Sequence, residues 1–260
     1  MRTKKKIMAL AATLLFVATK AQNPLGCGFN YAQDIIKNQV SDYTQKLKAF
    51  EQFQGNATFK RSAVTLTIPV VVHILHLGGS ENISDAPVHD AVNILTRDFR
   101  KLNADTTEIV TEFKNLATDC NIEFRLASKD PDGKCTNGIT RHYDTKTNWI
   151  IDLNYYTYTW PPDKYLNIYV VKGLPAGTAG YTFLPGTIPI NADAIVILHN
   201  YFGSIGTGSP FGSRALTHEV GHWLGLSHVW GNTNNVNVAC GDDGVSDTPI
   251  TEGHNWCNLG

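Results

Sequence analysis

The sequence has few of the features that mark specialised protein classes. Only 17% of its 260 residues are charged, and 22 basic residues nearly balance 23 acidic ones, giving a formal charge of −1. Beyond the first six residues no block of like charge occurs, which argues against a dedicated nucleic-acid binder. Glycine (22) and proline (11) are too few for collagen-like or low-complexity sequence. Hydrophobic residues make up 42% of the chain, which excludes wholesale disorder and allows a globular core.

No hydrophobic run is long enough to cross a bilayer. The strongest candidate, Ile7–Thr19, has 13 residues, whereas a transmembrane helix needs roughly 20. It follows a basic leader and precedes small residues at Thr19 and Ala21, an arrangement typical of a secretory signal peptide. We therefore predict a signal peptide at residues 1–21 and a secreted product, with a membrane anchor as the alternative. Removing the leader leaves 17 basic and 23 acidic residues, a formal charge of −6.

The rest of the chain divides near Lys60–Ala63. Residues 22–62 are polar and helical in pattern, which predicts a pro-segment, and residues 63–260 form the predicted catalytic domain. Helices are predicted at Ser84–Leu102 and Leu216–Leu226. Strands are predicted at Thr65–Leu75, Asn121–Ala127, Tyr165–Val171, Ala179–Phe183 and Ala194–Leu198. The alternation of strands and helices indicates an α/β or α+β layered domain with a mixed sheet.

The chemistry is concentrated in residues 217–231. His218 and His222 are four residues apart, so on a helix both imidazoles project from one face and can bind one zinc ion. Glu219 lies beside them and is suited to take a proton from water and pass it to a leaving amine. Gly225 can adopt positive φ and reverse the chain, so that His228 becomes a third ligand.

An ordinary helix is the alternative interpretation of this segment. Leu216, Val220 and Trp223 form an apolar stripe that would pack against a core. The stripe lies on a different face from the histidines and is therefore compatible with a zinc site. The full spacing of glycine and third histidine after the first pair is much rarer by chance than the pair alone.

The segment His218–His228 resembles the long zinc motif of the metzincin metallopeptidases, and further stretches are similar to the pappalysin family within them. These stretches are Ile68–His73, Ile83–Asp85, Asp98–Asn103, Ile122–Ala127, Asp130–Gly133, Gly138–Arg141 and Gly241–Pro249. The resemblance implies an α+β (α/β-layered) metzincin-like zincin. Such a fold has a mixed five-stranded twisted sheet, a backing helix and an active-site helix. It also implies that Ala179, Gly180, Tyr181, Thr182 and Phe183 form an edge strand that pairs with an extended peptide substrate.

One departure from the metzincin pattern is the absence of a methionine turn after the third ligand. The only methionines are Met1 and Met8, and the chain ends 32 residues past His228. We therefore expect a family member cut short before that turn, with the C-terminal subdomain truncated.

The five cysteines suggest two different uses. Cys27, ahead of the catalytic domain, is a candidate fourth zinc ligand that would exclude water and keep a zymogen latent, as in several pappalysins. An unremarkable pro-segment cysteine or an intermolecular disulfide is the alternative. The other four are candidates for the disulfides Cys120–Cys135 and Cys240–Cys257, although sequence alone leaves the connectivity open.

Clustered oxygen ligands follow the zinc motif. Asp242, Asp243, Asp247 and Thr248 are suited to calcium, which pappalysins bind near this loop, and a solvated acidic turn is the alternative.

Together these features predict a secreted zinc metalloendopeptidase that acts on protein or peptide substrates. The rival interpretations are a catalytically impaired or dead, zinc-stabilised extracellular binding module and a metallohydrolase of another substrate class. The sequence does not specify an oligomeric state.

Overall fold

The computed structural model describes residues 25–56, 64–175, 177–231, 239–246 and 248–253. In these ranges it contains four α-helices and seven strands. The helices are α1 (Phe29–Ile36), α2 (Tyr43–Asn56), α3 (Asp85–Phe99) and α4 (Ala215–Trp223). The strands are β1 (Gly26–Cys27), β2 (Leu66–His76), β3 (Ile122–Leu126), β4 (Ile139–Tyr143), β5 (Leu166–Val171), β6 (Thr178–Tyr181) and β7 (Ile195–Leu198). Short 3-10 turns occupy Ala104–Glu108, Thr111–Phe113, Thr145–Thr147, Leu153–Tyr155, Ile190–Ala192 and His199–Tyr201.

Some sequence predictions fall outside these ranges. The expected signal peptide at residues 1–21 and the expected domain boundary at Lys60–Ala63 both do. Among the helices that are described, none is long and apolar enough to cross a membrane.

All seven strands belong to one sheet organised around β2. Its order is β1, β6, β7, β5 and β2, and beyond β2 the edge is shared by β3 and β4. The strand β3 pairs with Leu66–Val70 and β4 with Val72–His76. Only β6 and β7 are antiparallel neighbours, and every other pairing is parallel. The predicted mixed sheet is thus confirmed. It has more strands than the expected five because β3 and β4 divide one edge and residues ahead of the catalytic domain add β1.

The central strand β2 is buried on both faces, as parallel strands between two layers usually are. Val70, Val72 and Ile74 point to one face and form a core with α3 and α4. The opposite face carries Leu75 and forms a second core with α1 and with the aromatic residues around Trp149. The helices α3 and α4 therefore lie side by side on one face of the sheet, which is the predicted arrangement of backing and active-site helices.

The helix α3 ends three residues earlier than predicted. Lys101 adopts a left-handed φ of 51°, Lys101 N–H donates to the Asp98 carbonyl, and Leu102 N–H donates to the Arg97 carbonyl. This pair of bonds is the Schellman arrangement that closes a helix at a left-handed residue. Because Lys101 is not a glycine, its sequence contained no helix-stop signal.

The segment ahead of β2 forms two helices where the sequence indicated one helical stretch. The chain turns after Ile36 and buries Val40, between the two helices, and Tyr43, the first residue of α2, in the second core. A surface helix running straight through would leave these two apolar side chains in solvent, so their burial favours the break.

The Cys120–Cys135 disulfide stays a prediction. Cys120 precedes β3 and Cys135 follows it, in a loop that turns back on Lys129. The five residues of the strand span roughly 13 Å at 3.3 Å per residue. A disulfide requires Cα atoms within about 7 Å, so this pairing would need the loop after β3 to return to the start of the strand. Cys240 is exposed, and its proposed partner Cys257 lies outside the described residues.

Leu95 provides a test of the core between α3 and the sheet. Its side chain is fully buried, whereas Leu102, just beyond the helix, is 69% exposed. We expect Leu95→Ala to lower the free energy of unfolding by about 2–5 kcal/mol, because the truncation leaves a cavity. Leu102→Ala should change it by less than about 0.5 kcal/mol. Urea denaturation measures both values, and equal losses would contradict this packing.

Candidate active site

The helix α4 holds the first two histidines of the motif. Its residues Leu216 and Val220 are buried in the core with α3 and β2. This packing turns His218 and His222, on a different face, away from the sheet. The Nε2 atoms of the two rings lie 3.1 Å apart, as the i, i+4 spacing predicted.

Gly225 ends α4 and reverses the chain, so that the residues after it return to His218 and His222. Its φ is 99°, its N–H donates to the His222 carbonyl, and Leu226 N–H donates to the Gly221 carbonyl. This is again the Schellman geometry, here with glycine at the left-handed position. The reversal brings His228 Nε2 to 3.2 Å from His222 Nε2. The predicted chain reversal at Gly225 is therefore present and brings His228 beside the first two histidines. The role of His228 as a metal ligand stays a prediction.

The two buried histidines are held in the state that a metal requires. His222 Nδ1 donates to the Leu226 carbonyl at 2.6 Å, which leaves the lone pair of Nε2 free. Burial lowers the pKa of His222 to about 3 and that of His228 to about 4, so both imidazoles are neutral. The ring of His228 is stacked on Trp230 at 4.7 Å.

Cys27 reaches the same point from the N-terminal segment. Its Sγ lies 3.5 Å from His222 Nε2, and the four ligand atoms of Cys27, His218, His222 and His228 are all within 4.8 Å of one another. Burial raises the pKa of the Cys27 thiol, whereas a cation beside it would favour the thiolate. Three imidazoles and one thiolate form a donor set that fits tetrahedral zinc.

Glu219 lies beside this cluster and is almost fully buried. Burial raises its pKa to about 8. The carboxylate packs against β6, where a Cβ added to Gly180 would lie 3.2 Å from Glu219 Cγ. The glycine therefore makes room for the carboxylate between α4 and the edge of the catalytic sheet.

The strand β6 borders the cleft, but less of it does so than the sequence indicated. Ala179 lines a cavity of about 500 Å³ that also includes Glu219 and His218. Tyr181, Thr182 and Phe183 are buried instead, with Tyr181 bonded to Trp149 and Thr182 to the Ala194 carbonyl. Of the five predicted residues, Ala179 and Gly180 therefore border the site, whereas Thr182 and Phe183 lie beyond the end of β6 at Tyr181. Substrate binding along this strand stays a prediction.

In the acidic loop after the zinc motif, the carboxylates of Asp242 and Asp243 accept hydrogen bonds from residues of the same loop. Asp242 accepts a hydrogen bond from Gly244 N–H, and Asp243 accepts from Val245 N–H and from the Thr248 hydroxyl at 2.9 Å. Asp247 lies outside the described residues. Calcium binding at this loop stays a prediction.

Two contacts of the site were not predicted from the sequence. The ring of Phe29 stacks on His222 at 4.1 Å, and the amide of Gln54 donates to the Gly225 carbonyl at 2.6 Å. Phe29 lies only two residues after Cys27, and this proximity was the available signal for it. Nothing local to Gln54 indicated its partner, which is 171 residues away.

Comparisons with known proteins agree with this geometry. A profile of the peptidase M43 family, described as Pregnancy-associated plasma protein-A, matches residues 150–259. Promirolysin from Tannerella forsythia, solved as a mutant, is 33% identical with a TM-score of 0.74, and the match covers 86% of this chain and 75% of that one. Mature mirolysin in complex with a cleaved peptide is 36% identical with a TM-score of 0.67, covering 74% of each chain.

The chain belongs to the pappalysin family of metallopeptidases. Its curated relatives include an extracellular metalloprotease of Arthroderma gypseum, 24% identical over 80% of this chain and 63% of the relative. Another, from Verticillium alfalfae, is 26% identical over 94% of this chain and 79% of the relative. This pappalysin thus spans about two thirds to four fifths of the length of these two relatives.

Metal analysis tests the ligand set of this pappalysin. We expect the purified chain to hold about one zinc ion, and His228→Ala to lose most of it, because two imidazoles and a thiol no longer complete a tetrahedral site. His89→Ala is the matched control, since His89 is exposed and lies on α3 away from the cluster. Elemental analysis after dialysis measures both variants. Full zinc retention by His228→Ala would contradict the assignment.

Proposed function

We propose that this chain is a secreted zinc metalloendopeptidase produced in a latent form. The observation that carries the proposal is the convergence of Cys27, His218, His222 and His228 beside the buried carboxylate of Glu219, at the edge of the sheet. The basic and apolar leader at residues 1–21 and the printed names of the extracellular relatives support secretion.

In the proposed reaction His218, His222 and His228 hold the zinc ion. A bound zinc ion supplies Lewis acidity, which makes water nucleophilic near neutral pH and polarises a carbonyl. Glu219 accepts the proton of the attacking water and then donates it to the leaving amine. Burial holds the pKa of Glu219 above its usual range, and a cation beside it would favour the carboxylate that accepts the proton. Gly180 leaves the space that this side chain occupies.

The substrate would bind along β6 as an added strand. In the described state β1 already occupies this edge, since Gly26 N–H donates to the Gly177 carbonyl and Gly28 N–H donates to the Gly180 carbonyl, both at 2.8 Å. The pro-segment and a substrate therefore compete for the same backbone groups. Cys27 adds a second block, because its thiolate would take the ligand position that water needs.

Replacement of Glu219 tests the mechanism. In the background of Cys27→Ala, Glu219→Ala should lower hydrolysis of a denatured protein mixture by at least about 100-fold, the usual contribution of a general base. Zinc content should stay near one ion per chain, because Glu219 is not a ligand. Glu112→Ala, at an exposed position on another segment, is the matched control and should keep full activity. Full activity of the Glu219 variant would overturn the mechanism, whereas an inactive parent chain with zinc bound would favour a binding module.

Replacement of Cys27 tests the latency. We expect Cys27→Ala to raise the basal activity of the full chain at least about tenfold, which corresponds to a loss of about 1.4 kcal/mol of inhibitory contact. The assay is release of peptides from a denatured protein, with and without a zinc chelator. An unchanged basal rate would contradict the role of the thiol.

Two neighbouring glycines provide matched variants for the same test. A Cβ at Gly28 would lie 2.3 Å from Thr178 Cγ2 and 3.1 Å from the Gly180 carbonyl, whereas a Cβ at Gly26 would meet nothing closer than 3.7 Å. Gly28→Ala should therefore displace β1 from β6 and raise basal activity, and Gly26→Ala should stay latent. Equal behaviour of the two variants would show that close pairing of β1 with β6 is not needed for latency.

A further inference from the structure

A buried carboxylate connects the backing helix to the start of the metal-binding helix. Asp98 is the penultimate residue of α3, and only 7% of its side chain is exposed. Its Oδ2 accepts a hydrogen bond from the Thr217 hydroxyl at 2.8 Å. Thr217 is the residue immediately before His218 in α4. This bond therefore acts on the backbone turn that carries the first metal ligand.

The other oxygen of Asp98 faces Arg214, the residue immediately before α4. Asp98 Oδ1 is buried, has no hydrogen-bond donor among the described residues, and lies 3.5 Å from Arg214 Nη2. The guanidinium of Arg214 donates instead to both oxygens of Asp105, at 2.6 and 2.7 Å. The N-cap residue Arg214 and the first-turn residue Thr217 are thus both held by carboxylates that belong to α3 and the segment after it.

Packing alone does not account for a charge at this position. A buried carboxylate is costly to desolvate, and apolar side chains of similar size would join two helices at lower cost. What the carboxylate adds is direction. Burial of Leu216 and Val220 decides which face of α4 meets the sheet, and a directional hydrogen bond limits the remaining rotation of the helix more closely than apolar contact does.

His218 is the ligand that depends most on this direction. His222 is fixed by the Leu226 carbonyl and by the stacked ring of Phe29, and His228 by the stacked ring of Trp230. His218 is exposed, and its Nδ1 has no hydrogen-bond partner within the described part of the chain. Metal-ligating histidines are usually oriented by a hydrogen bond at the second ring nitrogen. The Nδ1 atom of His228 also has no hydrogen-bond partner among the described residues, but that ring is buried and stacked on Trp230. His218 is exposed and has no such support from the protein in the described part of the chain, so the backbone of α4 contributes most to placing its ring.

We propose that Asp98 is a positioning residue for the zinc site, acting through Thr217 on the orientation of His218. The inference rests on the proposed function only in taking zinc as the metal. Asp98 contacts neither metal nor substrate, and its effect is therefore expected in metal affinity and ligand geometry before it is seen in turnover.

The experiment compares variants of the full chain in three measurements that do not require activity. These are the zinc dissociation constant from competition with a chromophoric chelator, the absorption spectrum of the cobalt-substituted protein, and stability to urea. Thr217→Val removes the hydroxyl but keeps the shape, and Thr217→Ser keeps the hydroxyl. Thr96→Val is the matched control, because the Thr96 hydroxyl also makes a hydrogen bond from α3, but to the Phe124 backbone and not to α4.

Asp98→Ala and Thr217→Val should weaken zinc binding about 10- to 100-fold, the range found for residues that orient metal ligands. Both should also change the cobalt spectrum, and Thr217→Ser should retain the parent values. Thr96→Val should lower stability without changing zinc affinity. If Asp98→Ala fails to fold, Thr217→Val still decides the question.

The proposal is overturned if Thr217→Val loses stability like Thr96→Val but keeps zinc affinity within about twofold of the parent. It is also overturned if the parent chain binds no zinc, and that result would overturn the proposed function as well. A parent that binds zinc but hydrolyses no peptide would contradict the proposed function alone, because the metal measurements still test Asp98.

Discussion

The site depends on how α4 packs against the central sheet. Leu216 and Val220 enter the same core as Val70 and Val72 of β2, and this burial decides which face of the helix is free. A rotation of the helix by one residue, about 100°, would bury one histidine and expose an apolar side chain. The hydrophobic core and the ligand cluster therefore require the same orientation of the helix, and no apolar contact is lost to bring the histidines together.

The turn after α4 converts this orientation into a closed ligand set. Gly225 reverses the chain within the motif itself, and the Leu226 carbonyl in the same turn orients His222. One short segment thus supplies both a metal ligand and the group that holds another ligand in the correct tautomer. The segment ahead of β2 contacts this turn as well, since Phe50 and Gln54 of α2 pack against Gly225.

The N-terminal segment is part of the architecture of the sheet. Its strand β1 completes the sheet beside β6, and α1 buries Ala32 and Ile36 in the second core. The cleft edge is therefore paired in the described state and does not expose a free strand edge, which would be prone to unwanted pairing. The same few residues cover the edge of the sheet and place Cys27 beside the three histidines.

Elements with strong local signals were predictable from the sequence. The strand β2 has a continuous β-branched run, and the helices α3 and α4 have clear apolar periodicity, so their positions were predicted to within a few residues. The strand β4 was missed because Ile139–Tyr143 has only one fully buried side chain and hence little hydrophobic pattern. The end of α3 at Lys101 and the break between α1 and α2 were missed because tertiary packing, and not a local stop signal, decides them.

The contacts of the site divide in the same way, because some follow from local sequence and others require the tertiary structure. The sequence by itself determined that His218, His222, Gly225 and His228 would meet, because helix period and glycine conformation act within eleven residues. Only the tertiary structure decided that Cys27 joins them, that Gly180 accommodates Glu219 and that Asp98 reaches Thr217. Those contacts join residues that are 195, 39 and 119 positions apart. No local conformational preference can specify contacts between residues so far apart in the sequence. These contacts form only when the helices pack on the sheet and β1 pairs with β6.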